Sequence, residues 1–143
     1  MDEIDSRLIA LLSEDARQSV TQLSRRLGLA RTTVQARLER LERQKVITGY
    51  TVRLSTEARS GAIEATVLLQ IEPRAAPGVL QRLRNLPQVR KVHTTSGRFD
   101  LVVTMTARQM RELDTALDDI GEIKGVRASE SLIHLATRLD RGD

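Results

Sequence analysis

The chain contains no cysteine and no tryptophan, and its only aromatic residues are Tyr50 and Phe99. Without cysteine there is no disulfide framework, no thiolate nucleophile and no sulfur-ligated metal. Two aromatics do not supply the stacking platform on which single-stranded nucleic acids are bound. Histidine is nearly as scarce. His93 and His134 both fall in strand-like segments, without the ExxH spacing of a metal site, and packing on the sheet is the expected role of each. There is no Gly-rich phosphate loop and no Ser-centred nucleophile elbow, so no catalytic residue and no cofactor is expected. Asp118 and Asp119 form an acid pair near a helix end and are expected to face solvent. Apolar runs last only a few residues, far short of the roughly 20 needed to cross a bilayer. The opening MDEIDSRLI is acidic and lacks the basic start and long apolar core of a secretory signal. A cytoplasmic protein without a membrane partner is expected.

What is present is a localised positive charge. The 143 residues, 40% apolar and 29% charged, suffice for one ordinary domain or two small ones. From Arg17 to Arg53 there are nine Lys or Arg against two acids, Glu39 and Glu42, a net of +7. Residues 57–143 carry thirteen bases and twelve acids, a net of +1. A basic patch confined to one small module is the electrostatic footprint of a phosphate-binding surface. Only Lys45, Lys91 and Lys124 among the 23 basic residues are lysine. Arginine suits bidentate contact with phosphate or guanine, but a GC-rich genome gives the same bias.

Apolar spacing places three helices in this first part. The first spans about Glu3 to Leu12, capped by Asp2, with Glu3 and Asp5 at its positive end. The second spans Val20 to Leu27. Ser19 and Gln22 have the spacing of a capping box, and Gly28 suits the left-handed residue that ends a helix. The third spans about Arg31 to Gln44, with Val34, Leu38 and Leu41 inward. Its outer face carries Thr32, Thr33, Gln35, Ala36, Arg37, Arg40 and Arg43. Short polar groups near the start and arginines further along are the order in which a recognition helix works in a major groove. Gln35 can bind an adenine edge, and a Thr methyl can touch thymine.

Val46–Leu54 is β-prone and Ser55–Ala62 is a small, polar linker. Strand signals then dominate. Ile63–Glu72 alternates as a half-buried strand. A helix follows from Pro77 to about Leu86, with strands over Gln88–Ser96 and Phe99–Thr106. Gly97-Arg98 reads as a tight hairpin turn between them. A helix from Arg108 to about Ile120 and a strand over Val126–Thr137 complete a βαββαβ order, which is ferredoxin-like. Phe99 is expected in the core and Tyr50 as packing at the module boundary. Apolar residues on both sheet faces (Leu68, Ile133 and Leu135 against Leu69 and Leu132) imply a face covered by a second copy.

IDSRLIALLSEDARQSVTQLSRRLGLARTTVQARLERLERQKVITGY, the corner Leu86-Pro87-Gln88-Val89, the hairpin Ser96-Gly97-Arg98-Phe99-Asp100 and the strand entry Gly125-Val126-Arg127 occur in this order. Together they resemble the Lrp/AsnC (feast/famine) regulators over nearly the whole chain. The resemblance implies an α+β protein: a winged-type helix-turn-helix at 1–50, a linker at 51–62, and a ferredoxin-like effector-binding and oligomerisation domain at 63–143. It implies a sequence-specific regulator of transcription that binds double-stranded DNA as a homodimer or octamer, with an amino-acid effector held between dimers. The implied base readers are Thr32, Thr33, Gln35, Ala36 and Arg37, and the implied phosphate contacts Arg25, Arg26, Arg31 and Arg40. Thr95, Ser96, Gly97, Arg98 and Asp100 form the implied effector region.

The chain departs from the family pattern at two points. Ala30 replaces a frequent capping Ser, with Thr32 as the alternative cap. Arg98 replaces a frequent acid in the hairpin, so a ligand carboxylate at Arg98, or no ligand at all, stands beside the usual amino acid. Two other readings remain. Proteins of this architecture include tetrapyrrole (sirohaem-type) decarboxylases, and fold alone does not decide function. The other is an effector-sensing assembly module without specific DNA binding.

Overall fold

In the computed structural model, which describes residues 1–55, 57–59 and 61–141, the chain divides into two compact units, the division falling between Arg53 and Leu54. The first holds α1 (Glu3–Glu14), α2 (Val20–Leu27) and α3 (Arg31–Arg43). Local sequence explains the first two starts. The Asp2 carboxylate accepts the Asp5 amide at 2.9 Å while Asp5 reaches back to the Asp2 amide, and Ser19 and Gln22 do the same for α2. Each box satisfies donors that a helix start otherwise leaves orphaned. Gly28 ends α2 with φ +69°, a left-handed geometry that costs glycine little. α3 begins at Arg31 with Ala30 in the cap position and no side-chain cap, so Thr32 does not take that role. Leu8, Leu12, Leu23, Leu27, Val34 and Leu41 form the core of this unit.

The second unit is a four-stranded antiparallel sheet in the order β2-β3-β1-β4. Its elements are β1 (Ile63–Ile71), α4 (Ala76–Arg84) entered through a 3-10 turn at Pro73–Ala75, β2 (Val89–Thr94), β3 (Leu101–Ala107), α5 (Met110–Gly121) and β4 (Val126–Ile133). Alternation puts Ala65, Val67, Leu69 and Ile71 of β1 beside Leu101, Val103, Met105 and Ala107 of β3 on one face. Val79 and Leu83 of α4, Leu113, Ala116 and Ile120 of α5, and Ile123 close over them. Gly125 makes the approach to β4 possible. Its φ is +99°, and a Cβ there would collide with the Cβ of Ala75.

Five expectations are corrected. The β2–β3 connection is not a two-residue turn. The strands stop at Thr94 and Leu101, and residues 95–100 form a longer loop closed by the Thr95 amide donating to the Asp100 carbonyl at 3.0 Å. Phe99 lies outside the buried core, half-exposed. β4 ends at Ile133 rather than Thr137, and Leu135 is 97% exposed. The assignment of leucines to faces also changes. Register pairs Thr66 with Leu132 and Ala65 with Ile133, so Leu132 shares the open face with Leu68 and Ile133 shares the helix-covered face with Leu69. The β-prone Val46–Leu54 forms no strand.

Candidate nucleic-acid interface

The outer side of α3 is polar and accessible. Arg31, Thr32, Gln35, Ala36, Glu39 and Arg43 are exposed, whereas Thr33, Arg37 and Arg40 are half-buried. Thr32, Thr33, Ala36, Arg37, Arg40 and Arg43 line one shallow concavity; Val20, Ala30, Arg31, Thr32 and Gln35 line another on the opposite flank. Gln35 donates its amide to Glu39 at 2.9 Å, one helical turn along. That bond uses one N–H of the exposed Gln35 amide and leaves its carbonyl oxygen and second N–H available. Glu39 was not among the expected site residues; its i+4 spacing from Gln35 is the signal that points to it.

Arg25 and Arg26 lie in the last turn of α2. With Asp15, Gln18 and Gln22 they line a further concavity. The Arg26 guanidinium donates to Gln18 at 3.1 Å and pairs with Glu14 at 3.3 Å.

Arg37 and Arg40 are engaged within the unit. Arg37 Nη1 donates to both carboxylate oxygens of Asp2, at 2.8 and 2.7 Å, and to Asp5 Oδ1 at 3.1 Å. Arg40 Nη2 donates to Asp5 Oδ2 at 2.8 Å. Asp5 is only 1% exposed, and these bonds satisfy it. Burial alone would push the Asp5 carboxyl up, but the bonds from Arg37 and from the Asp2 amide outweigh it and leave the group below its ordinary value. The Arg37 hydrogen bond, with the Asp5 amide second, lowers Asp2 to about 2. Arg37 is raised in turn by Asp2 and then Asp5. Sequence reasoning assigned Asp2 and Asp5 to the α1 start alone and missed this clamp between α1 and α3.

The loop at 95–100 is built from hydrogen bonds. Gly97 takes φ +101°. Thr95 Oγ1 donates to the Phe99 carbonyl at 2.8 Å, and Gln70 donates to the Arg98 carbonyl at 2.8 Å. Asp100 Oδ2 accepts the Ile71 amide at 2.8 Å, so this carboxylate holds the loop to the end of β1. The Arg98 guanidinium lies 5.0 Å from the Phe99 ring centroid, a cation–π distance. Thr95, Ser96, Gly97, Arg98 and Asp100 are all exposed on this loop. Tyr50 is also exposed and donates to Glu42 at 2.8 Å, which ties it to the end of α3 rather than to a module boundary. His134 follows β4. Its Nε2 lies 2.8 Å from Thr66 Oγ1, and its Nδ1 lies 3.6 Å from Glu64. Among the described residues no three metal-ligating side chains cluster, and no helix is long and apolar enough to cross a membrane.

Comparison with known proteins extends this geometry. Residues 1–42 match the AsnC-type helix-turn-helix domain, and residues 64–143 match the Lrp/AsnC ligand binding domain. The HTH-type transcriptional regulator FL11 of Pyrococcus horikoshii is 31% identical over 137 residues, covering 96% of this chain and 91% of that protein. The crystal structure of the Mycobacterium tuberculosis leucine response regulatory protein LrpA is 29% identical, with a TM-score of 0.80, covering 98% of this chain and 96% of that one. The Neisseria meningitidis transcriptional regulator NMB0573, solved as an L-Met complex, shares the fold at 22% identity and a TM-score of 0.83, covering 98% and 93%. With both of its units matched in order, the chain belongs to the Lrp/AsnC family and is a transcriptional regulator with a helix-turn-helix DNA-binding domain and a ligand-binding domain.

Proposed function

We propose that α3 enters the major groove with Thr32, Thr33, Gln35 and Ala36 toward base edges, and that Arg25, Arg26, Arg31 and Arg43 meet phosphates. The observation that carries this reading is the exposed polar outer face of α3 at the centre of the +7 segment. Arg37 drops out as a base reader because its guanidinium is held by α1. Gln35 is the residue best suited to an adenine, since its bond to Glu39 orients the amide and leaves one donor and one acceptor free.

The protein acts as a homodimer in this reading, joined across the sheet face that carries Leu68, Val102 and Leu132, and, on the family pattern, as an octamer in the cytoplasm. Two heads then place half-sites about 10 base pairs apart, or a multiple. A small effector with a carboxylate, an amino acid in keeping with the L-Met complex of the Neisseria protein, docks at the 95–100 loop against Arg98. Asp100 anchors the loop in this reading, since one of its carboxylate oxygens accepts the Ile71 amide.

The test is a mobility shift on the protein's own upstream DNA, with a salt series, a random-sequence competitor and candidate amino acids. Binding that survives competitor and loses its sequence preference in Gln35→Ala is the expected result. Unchanged affinity and preference in Gln35→Ala would remove α3 as the reader. Absence of any shift at low salt, together with an absorbance change on adding a tetrapyrrole, would favour an enzyme.

A further inference from the structure

Asp2 is more than a helix cap. It lies at the start of α1, 53% exposed, yet both its carboxylate oxygens accept from the same guanidinium nitrogen of Arg37. Arg37 also forms one wall of the concavity shared with Thr32, Ala36 and Arg43 on the outer side of α3. A backbone phosphate settling over that side comes within reach of this guanidinium. A carboxylate and a phosphate offer it the same thing, two anionic oxygens in a fork.

We propose that Asp2 is an intramolecular phosphate mimic that competes with DNA for Arg37 and holds back one of the phosphate contacts available to each recognition helix. The proposal rests on the reading that α3 faces DNA. Asp5 makes the competition possible. Its second oxygen keeps Arg40, and its own bond to Arg37, at 3.1 Å, is the longest of the four arginine–carboxylate bonds in the cluster. Without the Asp2 charge, Arg37 retains that single bond and can turn to a phosphate while the buried Asp5 stays paired. Arg40 is 42% exposed but fixed by a carboxylate that cannot leave the core, so it is not gated in the same way. Holding back a sequence-independent contact weakens binding to all DNA and leaves base readout untouched. Asp2 thereby limits binding at wrong sites, where phosphate contacts supply nearly all of the affinity.

The experiment measures binding of the full chain to a random-sequence duplex over a salt series. Asp2→Asn and Asp2→Ser both keep a side chain that caps helices well, so the α1 start survives while the charge is lost. Glu3→Gln is the control, with the same change in charge one residue away and no ion pair to α3. For both Asp2 variants the slope of log K against log salt steepens by about 0.9 for each head engaged, the signature of one added phosphate contact. Glu3→Gln leaves the slope unchanged. In an Arg37→Gln background, Asp2→Asn has no effect on it. An unchanged slope in the Asp2 variants, or equal steepening in Glu3→Gln, would overturn the gate while leaving α3 as the reader. Failure of the wild-type chain to bind any duplex at low salt would overturn the interface and the gate together.

Discussion

The helical unit and the sheet unit are held by different forces. The sheet unit closes fourteen apolar side chains into one core, and among its described residues none of the buried ones is charged or polar. The helical unit buries six apolar residues, and the two buried polar residues among those described, Asp5 and Ser24, are both there. A six-residue core is little to align three helices. Capping boxes on α1 and α2 and an ionic clamp from α1 to α3 supplement it. The stability of the sheet unit should therefore follow packing, and that of the helical unit should follow charge.

Removing packing gives the largest effect. Leu69 is fully buried in β1, opposite Leu101 at the end of the β1–β3 ladder, and belongs to the core that α4 and α5 close. Leu69→Ala should cost about 3 kcal/mol through lost transfer energy and the cavity left behind. Hydrogen exchange resolved by segment checks where the loss falls. Amides of β1 and β3 should lose protection while those of α1 to α3 keep theirs. Equal loss in the helices would mean that the two units unfold as one.

Removing charge should give the converse. Asp5→Asn keeps the shape but leaves Arg37 and Arg40 without their buried anion, at about 2 kcal/mol for hydrogen bonds between charged groups. Protection should fall in α1 and α3 and hold in the sheet. Acid should act on the same contacts. Asp2 and Asp5 bind protons less readily folded than unfolded, since both lie below the ordinary 3.8 and Asp2 sits at about 2. Their stabilisation is complete above the unfolded value and is lost as pH falls through the folded one. Helical signal from α1 to α3 should decline between about pH 4 and pH 2, and Asp5→Asn should flatten that decline. A pH response unaltered by Asp5→Asn would assign the acid sensitivity elsewhere.

What was legible in the sequence was local. Ser19 with Gln22, Asp2 before an apolar repeat, and Gly28 after Leu27 each act within one turn, and each performs as its spacing implies. The βαββαβ order followed from period-2 and helical repeats. What escaped depends on residues far apart in the chain. Arg37 and Arg40 looked like outward arginines because their partners lie 35 and 32 residues away, on another helix. The 95–100 loop looked like a two-residue turn because the alternation runs on through Ser96 and resumes at Phe99. It is held open by Asp100, which binds Ile71 29 residues earlier. Leucines on both sheet faces gave no means of assigning Leu132 to a face until the β1–β4 register was known.

The smallest predicted effect lies where local sequence and tertiary structure part. α1 and α2 begin with side-chain caps, and α3, the helix proposed to read DNA, begins at Ala30 without one. Ala30 already has the extended geometry of a cap, with φ −67° and ψ 147°. A serine there needs no backbone change to accept an amide of the first turn. Ala30→Ser should therefore stabilise the helical unit by about 1 kcal/mol. The gain should appear in the protection of α3 and not in the sheet. The clamp from Asp5 fixes the middle of α3, whereas its first turn, which carries Arg31, Thr32 and Thr33, begins without a side-chain cap. Ordering it in advance lowers the entropic cost of docking. Ala30→Ser should thus tighten specific DNA binding more than random-sequence binding, since base edges are read by the first turn and phosphates largely by residues beyond it. A stability gain with no change in that ratio would show that the first turn is already ordered before DNA arrives.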